Sequence, residues 1–198
     1  MPGHKRNTAL TGKDGYLEKF GAFADITEIE GFDNLNSPNG LFIESMQKAA
    51  RLWHSEETLF SVNGGTGGIL ASIFGSISGG GKVILARNCH VSVYNALEIR
   101  DAETVYTIPI QNSETGIWGA ADAFDLELLL EKHPDTQLVI VTSPTYEGAV
   151  SDIRHISNVC HKKNVPLMVD EAHGCHFGFG YGFPESAVTC GADIVVQS

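Results

Sequence analysis

The chain has 198 residues, 42% of them hydrophobic and 19% charged, with a formal net charge of −11. That is length for one globular domain, or one and a fraction, with apolar content enough to bury a core without staples. The acidity excludes a nucleic-acid partner and an anionic membrane surface, both of which need clustered Lys and Arg, and His4-Lys5-Arg6, the densest basic run, is too short to reverse it.

Residues 1–57 carry Gly, Asn and Pro turn signals, densest over 31–40, and then one amphipathic stretch over 41–53. They predict an arm and a helix leading into a main domain over 58–198. From there, short apolar runs alternate with helix-length segments. Strands are expected at 58–62, 82–86, 104–108, 137–142, 166–169 and 192–197, and helices at 66–77, 90–99, 122–132 and 153–163. Unbroken β-rich runs separated by helices predict an α/β fold, a mostly parallel sheet with helices on both faces. Ligands of such sheets bind at the carboxyl ends of the strands, so the residues after each strand carry the functional information.

The four cysteines, Cys89, Cys160, Cys175 and Cys190, form no C-x-x-C pair and read as reduced thiols. No apolar run reaches the roughly 18–20 residues of a membrane span. The start, MPGHKRN, lacks the apolar stretch of a signal peptide, and the expected address is the cytoplasm.

After the first expected strand comes Asn63-Gly64-Gly65-Thr66-Gly67-Gly68. A glycine turn opening a helix aims backbone N–H groups and the positive end of the helix dipole at an anion, or is simply a tight turn. Next, Arg87-Asn88-Cys89-His90 puts His90 at a helix start, where it can stack on a planar ligand or cap the helix. Ser143-Pro144-Thr145-Tyr146-Glu147 is a hydroxyl-rich turn that can contact a substrate or do nothing special.

The strand at 166–169 runs into Asp170-Glu171-Ala172-His173. A buried acid there needs a cationic partner, such as a protonated pyridine nitrogen, unless it caps the next turn. A metal site from Asp170, His173, Cys175 and His176 is disfavoured, because it mixes hard and soft ligands on one turn, and no metal is expected. A helicase reading of the Asp-Glu-Ala-His run fails as well. Its nearest phosphate loop, Gly75 to Val83, has the wrong spacing, lacks the metal-binding hydroxyl and precedes a strand.

Taken together, these stations resemble the fold-type I enzymes dependent on pyridoxal 5′-phosphate (PLP), whose large domain is aspartate aminotransferase-like. The ornithine/lysine/arginine decarboxylase family is the nearest likeness. The likeness is carried by Met1-Pro2-Gly3-His4-Lys5, Asn34-Leu35-Asn36-Ser37-Pro38, Val62 to Thr66, Asn88-Cys89-His90, Ser143 to Tyr146, Val169 to Ala172 and Val196-Gln197-Ser198, in order along the whole chain. It implies that Gly65, Thr66 and Ser198 hold the phosphate and that His90 stacks over the ring. It further implies that Asp170 pairs with the ring nitrogen, that Ala172 packs beneath the ring, and that His173 lies near the cofactor edge or the substrate. In that family the serine is followed by one residue and then His-Lys, so the cofactor-bearing lysine is expected just beyond Ser198 and the domain is expected to be incomplete at its end.

The implied activity is decarboxylation of a basic amino acid (arginine, lysine or ornithine) by a homodimer or higher homo-oligomer whose 31–40 segment reaches the neighbouring site. The alternatives are an aminotransferase, a β-eliminating lyase, or a non-catalytic relative. The sequence departs from the family pattern twice. Gly65 precedes Thr66 where relatives often have two hydroxyls, and Val91 follows His90 where some have Lys.

Overall fold

The computed structural model describes residues 21, 24–26 and 29–198. The segment Met1 to Lys5 and the basic run His4 to Arg6 therefore lie outside the described residues. The chain divides into two compact units, Met1–Arg51 with Glu57–Phe60, and Leu52–Glu56 with Ser61–Ser198.

In the first unit, Asp33 organises the turn ahead of a helix. Its carboxylate accepts from the backbone N–H groups of Asn34 (2.9 Å), Asn39 (3.0 Å), Gly40 (3.2 Å) and Phe42 (2.6 Å). These bonds, led by those from Asn39 and Phe42, hold its pKa below the usual carboxylate value. The helix is α1 (Leu41–Trp53), and its apolar positions recur at helical spacing, which buries Met46 and Ala50.

The second unit is built on a five-stranded sheet. Helix α2 (Gly64–Ser76) is followed by β1 (Lys82–Ala86), α3 (Val91–Ile99), β2 (Glu103–Thr107) and α4 (Ala123–Lys132). Then come β3 (Thr136–Thr142), α5 (Ile153–Lys162), β4 (Leu167–Asp170) and β5 (Ile194–Val196). The strand order is β2-β1-β3-β4-β5, and every pairing is parallel.

Because the chain moves one way from β1 to β2 and the other way from β2 to β3 and β4, right-handed crossovers put α3 on one face and α4 and α5 on the other. The packing agrees: α2 lies against α3 and β5, while α4 and α5 lie against each other. The central strands are apolar without alternation, as burial on both faces requires. Val83, Ile84, Leu85, Leu138, Val139, Ile140 and Val141 are fully buried.

Helix starts follow capping chemistry. His90, Asp122 and Asp152 each accept a backbone N–H of the first turn of α3, α4 and α5. One expectation is corrected. Residues 58–62 belong to no β ladder, and Leu59 and Val62 are 73% and 79% exposed. An apolar run becomes a strand only by pairing, and composition does not supply the partner. The other strands and helices lie within two residues of their expected positions.

A candidate cofactor site at the carboxyl edge of the sheet

The strand order reverses between β1 and β3, and such a switch point opens a crevice beyond the carboxyl ends of the strands. Four of the expected stations stand at that edge.

At the end of β4, Asp170 is only 5% exposed. Its Oδ1 accepts from the Ala172 N–H at 3.2 Å. Burial pushes its pKa above the usual carboxylate value, and the Ala172 N–H, His90 and His173 pull the other way. Both histidines thus lie within electrostatic reach of this carboxyl, from the ends of two different strands. Ala172 is half-buried and His173 exposed, with the His173 ring edge-on to Tyr146 at 6.1 Å between centroids.

Past β1, His90 caps α3 through Nδ1, which accepts from the Ser92 N–H at 3.2 Å and lies 2.8 Å from the Ser92 hydroxyl. Capping and stacking, posed by the sequence as alternatives, are therefore compatible: the cap uses Nδ1 alone, and the residue is exposed. Beside it Asn88 Oδ1 is buried without a hydrogen-bond partner among the described residues. Burial pushes the Cys89 thiol up to about 12, so it is no nucleophile.

Helix α2 starts differently from its neighbours. Its N-cap, Asn63, makes no side-chain capping bond. The first helical bond is donated by Gly67 to the Asn63 carbonyl, and the N–H groups of Gly64, Gly65 and Thr66 have no acceptor among the described residues. Gly64 holds φ +62°, which a side chain would strain. Gly68 lets the helix approach β5, since a Cβ there would lie 3.0 Å from Val196 Cγ1. A Cβ on Gly65 would lie 3.8 Å from the Ser198 Cβ, so the glycine turn and the serine after β5 face one another.

The donor set fits the group that the resemblance implies. Unmet N–H groups at a helix start suit a phosphate, and a buried carboxylate with no ion-pair partner among the described residues suits a protonated ring nitrogen.

Comparison with known proteins decides the family. The family profile described as "Orn/Lys/Arg decarboxylase, major domain" matches residues 1–198. The chain belongs to this family. It is 33% identical to arginine decarboxylase of Bacillus subtilis (strain 168) over 199 residues, covering 100% of this chain and 41% of that protein. It is 40% identical to the uncharacterized protein YaaO of the same organism over 174 residues, covering 88% of this chain and 36% of the relative. The chain thus spans about two fifths of the length of these relatives.

Among solved structures, serine palmitoyltransferase of Sphingomonas wittichii superposes with a TM-score of 0.66 at 21% identity, over 94% of this chain and 46% of that one. The protein YhfS of Escherichia coli, described as pyridoxal-5′-phosphate dependent, gives a TM-score of 0.64 at 15% identity, over 86% and 42%. These likenesses show the fold: this is the fold-type I α/β architecture.

Sequence reasoning did not single out Glu171. It is 1% exposed, accepts from the Ala187 N–H at 2.8 Å and from Gln197 Nε2 at 2.7 Å, and burial raises its pKa. Only its place beside Asp170 could have drawn attention to it.

Proposed function

We propose that this chain supplies the PLP-binding half of an amino-acid decarboxylase that acts on a basic amino acid. The observation that carries the reading is Asp170. It is a buried carboxylate with no cationic bond among the described residues, at the carboxyl edge of a parallel sheet, next to an uncapped glycine-opened helix, in a member of this family.

When bound, PLP supplies an electron sink for the bond broken at Cα. Asp170 would keep a proton on the ring nitrogen, and His90 and Ala172 would hold the ring. The N–H groups of Gly65 and Thr66, the Thr66 hydroxyl and Ser198 would bind the phosphate. Gly65 offers no hydroxyl, so backbone donors would carry more of that binding. His173 would lie near the cofactor edge or the substrate. Metal ions have no part in this scheme. The working protein is a cytoplasmic homodimer or higher homo-oligomer with a basic amino acid as substrate and no nucleic-acid or membrane partner.

The test is a product assay on the full-length protein reconstituted with PLP. Arginine, lysine and ornithine are offered singly, and CO2 is measured with agmatine, cadaverine or putrescine. Equimolar CO2 and amine from one of them is expected. A keto acid in place of CO2 would replace the reading with an aminotransferase.

A further inference from the structure

Glu171, next to Asp170, and Gln197, next to Ser198, are joined by a part-buried hydrogen bond. Asp170 and Glu171 are consecutive, yet they face different surroundings. Asp170 lies within reach of His90 and His173, and Glu171 lies beneath the segment that enters and leaves β5. One Glu171 oxygen takes the Ala187 N–H, in the turn before β5, where Ala192 N–H in turn bonds the Ala187 carbonyl at 3.0 Å. The other takes the Gln197 amide, one residue after β5 and one before Ser198. The Glu171 N–H bonds the Val196 carbonyl at 2.9 Å. Three bonds from one residue therefore tie the turn before β5 and the residue just after it to the end of β4.

From this geometry we infer that Glu171 and Gln197 are positioning residues for the phosphate of the cofactor: Glu171 holds Gln197, and Gln197 sets Ser198 against Gly65 at the start of α2. The inference rests on the PLP reading above and adds to it two residues that touch neither phosphate nor ring. The close approach of Gly68 to Val196 bears on β5 itself, one residue short of Gln197.

The experiment compares PLP with pyridoxal, which has the same ring and no phosphate, as ligands of the cofactor-free full-length protein, followed by absorbance and fluorescence titration. Gln197→Met keeps side-chain volume and removes the amide, and Gln197→Ala is the parallel variant if Met disturbs packing. Both should weaken PLP about tenfold, the effect of one buried hydrogen bond to a charged group, and leave pyridoxal affinity unchanged. Glu171→Gln should retain most PLP affinity. Its carbonyl still accepts from Ala187, and a flipped Gln197 amide accepts from its new N–H group. Glu171→Ala should behave as the Gln197 variants do. Equal loss of PLP and pyridoxal affinity, or no loss of either, with an unchanged thermal midpoint, overturns the positioning role. A wild-type protein that binds neither ligand overturns instead the PLP reading on which the role depends.

Discussion

Replacing Asp170 by Asn should stabilise the cofactor-free protein and cripple the cofactor-bound one. The native carboxyl is 5% exposed and takes a single backbone bond from Ala172. Asn has the same shape and keeps an acceptor for that bond, but carries no charge to desolvate. Relieving a buried, under-satisfied polar group is worth about 1–2 kcal/mol. That corresponds to roughly 2–4 °C per kcal/mol for a domain of 150–250 residues, and less for a longer chain.

The sign with pH follows from the direction of the shift. A carboxyl whose native pKa lies above the ordinary 3.8 binds its proton more tightly folded than unfolded. Its cost to the fold is absent below 3.8 and grows as pH rises through the native value. The variant's advantage should therefore be larger at pH 8 and fade as pH falls toward 3.8. Urea midpoints of the cofactor-free full-length protein at about pH 4 and about pH 8 measure it. With PLP present the order should invert, because the wild type gains about 2.7 kcal/mol at a hundredfold excess over Kd, a gain that the variant largely loses. A lower or unchanged midpoint for Asp170→Asn at pH 8 without cofactor would refute the idea of an unpaired carboxylate.

Three further outcomes test other parts of the structure. His90→Asn should keep the α3 cap, so its melting point should stay within about 1 °C, since Asn is a strong N-cap residue; PLP affinity should fall because the ring is gone, and an unchanged affinity would remove His90 from the site. Ile140→Ala, in the fully buried centre of β3, should cost about 2–5 kcal/mol in denaturant unfolding. Burial raises both Cys89 and Cys160 to about 12, so neither should be alkylated by iodoacetamide in the native protein at pH 8, as followed by peptide mass spectrometry, whereas both should react in urea.

The order of elements was legible because each central strand is buried on both faces and needs no alternation to be recognised; Leu138 to Val141 is the clearest case. Helix starts were legible to within two residues from the spacing of apolar positions, and in the structure Asp122 and Asp152 cap two of them. The run 58–62 misled because its Leu, Phe and Val have strand composition, and composition says nothing about a hydrogen-bonding neighbour. At the site, Gly65, His90, Asp170 and Ser198 were singled out by residue type and place after a strand or turn, but the approach of Gly65 to Ser198 could not be read, since it depends on the crossover from β4 to β5. Glu171 stayed hidden for the same reason. Its partners lie 16 and 26 residues away, and no local pattern records them.

The missing cap on α2 ties the folding of this region to its ligand. Three helices of the sheet domain begin on a capping side chain, whereas α2 begins on three amides with no acceptor among the described residues. An arriving phosphate would serve as its N-cap, so the last turn of folding would be supplied from outside the chain. In hydrogen–deuterium exchange, the amides of residues 64–66 should then trade protons fast in the free protein and slow sharply with PLP, while the amides of β3 exchange slowly in both.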